Sequence, residues 1–220
     1  MKLKRSRGFT LTEILITLTV IGVVAALTIP TLLQNTNQAE FKTALKKDYG
    51  DLVQAYTELS AENSGIETVF SSVNGSANAT NAFLTKLSYI KNCGTGMGCL
   101  YNTMLKNLDG STSMEHLDYT FSVTYPNYAK AILSNGSMIM IYNPGCSSIV
   151  GNSPLQENCG SIYIDVNGAK PPNTGGKDFF VFWITKTGIY PRGSFGDGYS
   201  CSIGNDYITS WGCAYKYLYE

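Results

Sequence analysis

The sequence predicts an α+β protein in which a long N-terminal helix, membrane-spanning in its first half and amphipathic in its second, packs on an antiparallel β-sheet head. Three observations predict it. No charged residue occurs from Ile14 through Ala39. Phe41, Leu45, Tyr49, Leu52, Tyr56 and Leu59 then recur at spacings of three and four with charged residues between them, which is the period of one helical face. Further on, Ala129 to Ser134 and Ser137 to Tyr142 flank Asn135-Gly136, the strongest short-range hairpin signal.

Residues 1–8 form a basic leader. Lys2, Lys4, Arg5 and Arg7 all precede Phe9, so the chain balances at 16 basic and 16 acidic residues but is left with 12 against 16, a net charge of −4, once residues 1–8 are removed. A mildly acidic body does not attract nucleic acid through bulk charge, and none is expected as a partner.

Residues 9–34 form the apolar element. Ile14 to Leu33 is almost wholly apolar, and about twenty helical residues at roughly 1.5 Å each cover a hydrocarbon core of roughly 30 Å. The basic cluster before it places the N-terminus in the cytoplasm, so the rest of the chain lies on the far side of the membrane. A secretory signal peptide has a shorter apolar region, about 7–15 residues. Glu13 stands at the start of the run, where an unpaired carboxylate costs several kcal/mol in lipid and needs a partner. Pro30 lies inside the helix, removes one backbone hydrogen bond and is expected to kink it or loosen the preceding turn. Gly22, Ala25 and Ala26 permit close helix contact.

Residues 35–64 are the amphipathic half of the same helix, stopped by Asn63-Ser64-Gly65. Residues 65–117, rich in Ser, Asn, Thr and Gly, read as a variable connecting region with short helices near Ala82 to Ile90 and Tyr101 to Leu108. Residues 118–220 read as the β head. Ser161 to Val166 and Asp178 to Thr185 add a second strand pair, and Lys186-Thr187-Gly188 turns the chain toward Ile189 and Tyr190, giving about four antiparallel strands to cover the helical stripe.

Six cysteines on the far side of a membrane crossing are expected to form disulfides. Fifteen pairings exist for six cysteines, and sequence neighbours suggest Cys93 with Cys99, Cys146 with Cys159, and Cys201 with Cys213. Zinc is not expected, because no Cys-x-x-Cys pair occurs and His116 is the single histidine. Asp165-Val-Asn-Gly-Ala-Lys-Pro-Pro-Asn173, with Asp178 after it, invites a calcium reading. The EF-hand spacing fails there, since its fifth and twelfth positions fall on Ala169 and Gly176, and the favoured reading is an Asn-Gly turn stiffened by Pro171-Pro172. No metal and no cofactor is expected.

Arg7-Gly8-Phe9-Thr10-Leu11-Thr12-Glu13-Ile14-Leu15 resembles the processing motif of type IV prepilins and type II secretion pseudopilins, over about residues 5–60. The resemblance implies cleavage by prepilin peptidase between Gly8 and Phe9 and N-methylation of Phe9. It implies pairing of Glu13 with the Phe9 amine of a neighbouring subunit, and a proline at the place of Pro30. It implies a filament of copies of the chain and other pilins or pseudopilins, built from the membrane by an inner-membrane platform and its ATPase. A side-chain-free Gly8 offers open backbone to a protease at the membrane surface, and a cut there keeps the apolar helix on the product.

An enzyme is not expected: His116 has no motif linking it to a nucleophile and no Gly-x-Ser-x-Gly elbow occurs. The alternatives to a general filament subunit are a minor or tip pilin for adhesion or DNA uptake, and a membrane-tethered extracytoplasmic binding domain. The aromatic residues Tyr199, Tyr207, Trp211, Tyr215, Tyr217 and Tyr219 bear on the last, and read first as strand residues packed inside the head, second as a contact surface.

Overall fold

The computed structural model describes residues 9–204 and 206–220. By internal packing the chain divides between Glu40 and Phe41, and helix α1 (Leu11–Glu62) contributes to both parts. α1 stops where the sequence places the stop: Ser64 and Gly65 take φ of 60° and 128°, and the Gly65 amide donates to the Ser60 carbonyl at 2.8 Å. A left-handed residue past the last turn recaptures a carbonyl that the helix leaves open.

In the part after residue 40, α1 is followed by α2 (Ile66–Val69) and α3 (Gly75–Leu84), then β1 (Tyr89–Gly94), β2 (Leu105–Lys106) and β3 (Thr112–Met114). A one-turn helix α4 (Leu117–Tyr119) runs into a π-turn at Thr120–Thr124. The strands β4 (Tyr128–Leu133), β5 (Met138–Tyr142), β6 (Asn158–Asp165), β7 (Phe179–Thr185) and β8 (Gly188–Pro191) come next, and the short helices α5 (Tyr207–Ser210) and α6 (Cys213–Tyr219) end the chain. The main sheet has the order β1-β4-β5-β6-β7-β8, with every neighbouring pair antiparallel.

Strand alternation assigns the two sheet faces. Ile139, Ile141, Ile162, Ile164, Phe180, Phe182 and Ile184 join Leu45, Leu52, Tyr56 and Leu59 of α1 in one core. The residues between them, Met140, Tyr163, Phe179 and Val181, form a second core with Tyr101, Leu105, Leu117, Phe121 and Trp211. Both faces are therefore covered, which is why β6 and β7 are buried along their whole length and why β7 reads as an unbroken run, Phe-Phe-Val-Phe-Trp-Ile-Thr. Tyr49 stacks on Phe182 with ring centroids 5.3 Å apart and donates through its hydroxyl to the Ile189 carbonyl, and the Tyr56 hydroxyl donates to the Thr185 carbonyl. These bonds let two tyrosines enter an apolar interface without an unpaired hydroxyl.

Four details differ from the sequence reading. The sheet has six strands rather than about four, because β1 joins it at one edge from inside 65–117 and Gly188–Pro191 pairs with β7 as a strand, β8, at the other. The helix read near Ala82 to Ile90 is α3, which starts earlier and ends at Leu84, and the one read near Tyr101 to Leu108 is absent, with β2 in its place. Residues 65–117 are more than a connector, since Tyr101 and Leu105 are core side chains over the second sheet face. After Pro191 the described chain contains no further strand, so Tyr207, Trp211, Tyr215, Tyr217 and Tyr219 lie on α5, α6 and the turn between them. For β1 and for Tyr101 and Leu105 the deciding contact is to a residue distant in sequence, which local periodicity does not record.

The covering layer is held by buried polar groups. Lys130, fully buried, donates from Nζ to the Phe121 carbonyl at 2.6 Å, and to the Thr95 carbonyl and Ser122 Oγ at 2.9 Å. Burial lowers its pKa. Asp118 accepts from the Gly98 and Leu100 amides at 2.7 and 3.1 Å. The three disulfides are Cys93–Cys99, Cys146–Cys159 and Cys201–Cys213.

Candidate functional site

The site is the N-terminal apolar segment. Leu11–Pro30 is long and apolar enough to cross a membrane, with a mean hydropathy of 2.2 and none of it buried within the chain. Phe9, Leu11, Leu18, Ile21 and Leu27 are 84, 78, 61, 64 and 71% exposed. At about 1.5–3 kcal/mol for each large apolar side chain, leaving such a surface in water is prohibitive, so lipid or protein must cover it. Three hydroxyls along it are answered within the helix: Thr17 donates to the Glu13 and Ile14 carbonyls, Thr19 to Leu15 and Thr28 to Val24, each at 2.8–3.0 Å. A threonine bonded to its own backbone carries little polarity into an apolar medium.

Glu13 is arranged in a way the sequence reading did not anticipate. Its Oε2 accepts from both the Thr10 amide and the Thr10 hydroxyl at 2.8 Å, while the Glu13 amide donates to Thr10 Oγ1 at 3.2 Å. This is a reciprocal capping box with Thr10 as N-cap. The signal was present as Thr10-x-x-Glu13 at the head of an apolar run. The carboxylate thus closes the first turn of α1 within its own chain and stays exposed.

Gly8 and the basic residues of the leader lie outside the described residues, and Phe9 is the first that is described. Pro30 lies inside α1, whose helical assignment continues through it. A proline has no amide to donate to the residue four positions earlier, here Ala26. An added Cβ at Gly22 meets nothing within 4 Å of its own chain.

The remaining sequence candidates lie in the head. Asp165 and Asp178 come together at the β6–β7 connection, where the Val166 amide donates to the Asp178 carbonyl at 2.9 Å. Trp211 is buried, whereas Tyr207, Tyr215 and Tyr219 are 47, 40 and 61% exposed. His116 precedes α4 in a left-handed conformation. Among the described residues no three His, Cys, Asp or Glu side chains group together as metal ligands.

Residues 3–29 match the family model of the prokaryotic N-terminal methylation motif, the hallmark of type IV pilins and pseudopilins. No curated protein and no solved structure matches the chain. The motif supports a pilin- or pseudopilin-like role in general, implies processing by prepilin peptidase and assembly into pilin filaments, and with the apolar helix suggests membrane anchoring.

Proposed function

We propose that this chain, carrying the methylation motif at residues 3–29, is a structural subunit of a type IV pilus-like or type II secretion pseudopilus filament. It is matured by prepilin peptidase cleavage after Gly8 and N-methylation of Phe9. The observation that carries the reading is the exposed apolar helix Leu11–Pro30 with a single carboxylate, Glu13, at its start. A secretory peptidase would discard such a helix. A cut at Gly8 retains it, which serves a purpose only where the helix is used again.

In this reading residues 1–8 leave as the leader, 9–34 occupy lipid first and the filament core later, and 35–64 carry the head formed by 65–117 and 118–220. The four leader cations hold the precursor's N-terminus in the cytoplasm, with the head and its disulfides outside. In the filament Glu13 pairs with the Phe9 amine of a neighbouring copy, neutralising two charges that an apolar core tolerates poorly alone. Work for extraction comes from the inner-membrane platform and its ATPase, since a helix leaving lipid for a bundle of equal apolarity gains little from the hydrophobic effect.

Co-expression with a prepilin peptidase and mass measurement of the product tests the reading. The product is expected to lack residues 1–8 and to carry one added methyl group on Phe9. Precursor of unchanged mass overturns it.

A further inference from the structure

The head carries a cavity of about 410 Å³ where the end of β1, the start of β4 and the end of β5 meet the turn between α2 and α3. Sites that take small molecules measure about 300–1,000 Å³. No acidic or basic side chain lines this one. A smaller cavity of about 240 Å³ beside α1 is different in kind, being lined by Lys47, Asp51 and Lys86. Those charges are already paired, Lys47 with Asp51 and Lys86 with Glu58 and Glu62.

The walls of the larger cavity are tied down from within the chain. Asn143, buried, donates from Nδ2 to the Ser71 and Gly75 carbonyls at 3.2 and 3.1 Å and accepts from the Gly145 amide at 3.0 Å, while its own amide donates to Ser76 Oγ at 2.9 Å. Asn74 donates from Nδ2 to the Thr68 carbonyl at 2.8 Å. Thr95 lies in the loop closed by the Cys93–Cys99 disulfide, and its carbonyl accepts from the buried Lys130 Nζ at 2.9 Å. The Tyr142 ring stacks on Tyr128 with centroids 4.8 Å apart. Three segments distant in sequence are thus fixed around one space, so a ligand there need not order them on arrival. The polar groups left over are available to it. No hydrogen bond within the described chain engages the side chains of Ser72, Thr95 or Asn127, the Oδ1 of Asn74 or the hydroxyl of Tyr142, and all five residues are partly or fully open to solvent.

We propose that this cavity binds an uncharged saccharide through Ser72, Asn74, Thr95, Asn127 and Tyr142. A charged ligand would enter a lining that offers it no counter-ion, which disfavours it. A wholly apolar ligand would strip water from three hydroxyls and two carboxamide groups and answer none of them, at a cost for each. A sugar answers them. Each of its hydroxyls both donates and accepts, as do the hydroxyls of Ser72, Thr95 and Tyr142, and the Asn127 carboxamide presents a donor beside an acceptor. The C–H groups of a sugar ring find apolar surface on Tyr142, Pro126 and Pro144 of the same lining. Tyr, Ser, Gly and Asn together are also the residue types of adaptable recognition surfaces, where a rigid aromatic supplies area and small polar groups supply hydrogen bonds. The inference goes beyond the filament reading and does not depend on it, since a head that holds a saccharide is adhesive whether the chain polymerises or stays in the membrane.

The test uses the full chain in micelles of a detergent without a sugar headgroup. Saturation-transfer NMR and calorimetric titration read binding of glucose, galactose, mannose, N-acetylglucosamine, N-acetylgalactosamine and their disaccharides, with inorganic phosphate and sialyllactose as charged probes. At least one neutral sugar is expected to bind at a single site per chain. Asn127→Ala and Thr95→Val each remove an exposed polar group that makes no bond within the chain, so the thermal midpoint is expected to stay at the native value while affinity falls about fivefold or more, the equivalent of one hydrogen bond. Asp109→Asn, a change at an exposed acid outside the cavity, is expected to leave binding unchanged. A native chain that binds none of the neutral sugars overturns the proposal. So does undiminished affinity in both Asn127→Ala and Thr95→Val, which would place the sugar elsewhere. Phosphate or sialyllactose bound more tightly than every neutral sugar would mark an anion site at the first amides of α3, and overturns it too.

Discussion

Ser137 donates through its hydroxyl to the carboxylate of Asp48 at 2.7 Å, 89 positions apart in sequence. Asp48 is 1% exposed and also accepts from Asn135 Nδ2 at 2.6 Å. One carboxylate on α1 therefore grips the turn between β4 and β5 and fixes the sheet on the helix at that end. Asp48→Ala takes the short bond from the buried Ser137 hydroxyl, which keeps only the Val166 carbonyl at 3.3 Å, and frees the exposed Asn135 amide, and is expected to cost about 1–3 kcal/mol. Chemical denaturation of the detergent-solubilised chain measures it, and an unchanged midpoint would contradict the arrangement.

The same residue predicts a pH dependence. Burial raises the folded Asp48 pKa above its ordinary 3.8, outweighing the hydrogen bonds from Ser137 and Asn135 that lower it. A raised carboxyl pKa means that the folded state binds the proton more tightly. The associated stability is fully present below about pH 3.8 and is lost as pH rises through the raised folded value. Asp48→Asn is expected to flatten this slope in a series of melts across that window. An identical slope in variant and native chain would assign the effect elsewhere.

Gly50→Ala is expected to stabilise the chain by about 1 kcal/mol, the helix-interior difference between the two residues. Gly50 lies inside α1 and an added Cβ there meets nothing within 4 Å. A thermal melt that shows no gain would indicate that this glycine serves contacts beyond the single chain.

Gly160→Ala is expected to act in the opposite direction. A Cβ at Gly160 would collide with the Tyr142 carbonyl oxygen of β5, the strand paired beside it, and would crowd Phe70. Backbone on a central strand cannot yield cheaply, so a loss of about 1–3 kcal/mol is expected from the overpacking. Equal denaturation midpoints for the two proteins would count against the close approach.

Glu13 separates two roles by substitution. Gly8→Ala is expected to block or slow cleavage, whereas Glu13→Ala is expected to be cleaved yet to assemble poorly. Glutamine still serves as the third residue of a capping box but carries no charge. If pairing with the Phe9 amine drives assembly, Glu13→Gln fails to form filaments just as Glu13→Ala does. Filaments from the glutamine variant at native yield, counted by electron microscopy of sheared cells, would leave capping by Thr10 as the whole role of Glu13.

The N-terminal half of the chain was legible because its information is local. An uncharged run, a stripe at the helical period and a left-handed stop at Ser64-Gly65 each depend on residues within a few turns of one another. Asn135-Gly136 announced its hairpin for the same reason. Thr10-x-x-Glu13 is equally local, a capping box whose two partners stand three residues apart at the head of the apolar run.

Other features were decided by tertiary structure alone. β1 is an exposed, irregular edge that becomes a strand only by pairing with β4, and its Tyr-Ile-Lys-Asn-Cys-Gly carries no alternation to announce it. Asp165 and Asp178 read as an ordinary turn until folding buried both, beside a tyrosine from another segment. The sequence by itself determined the apolar helix, its acid and its motif, since composition and short-range spacing suffice for a segment that folds on its own hydrogen bonds. Which face of the sheet Tyr101 covers, and that Asp165 and Asp178 end up buried, followed only from the closing of long loops, where the partner's distance along the chain carries no mark in either residue.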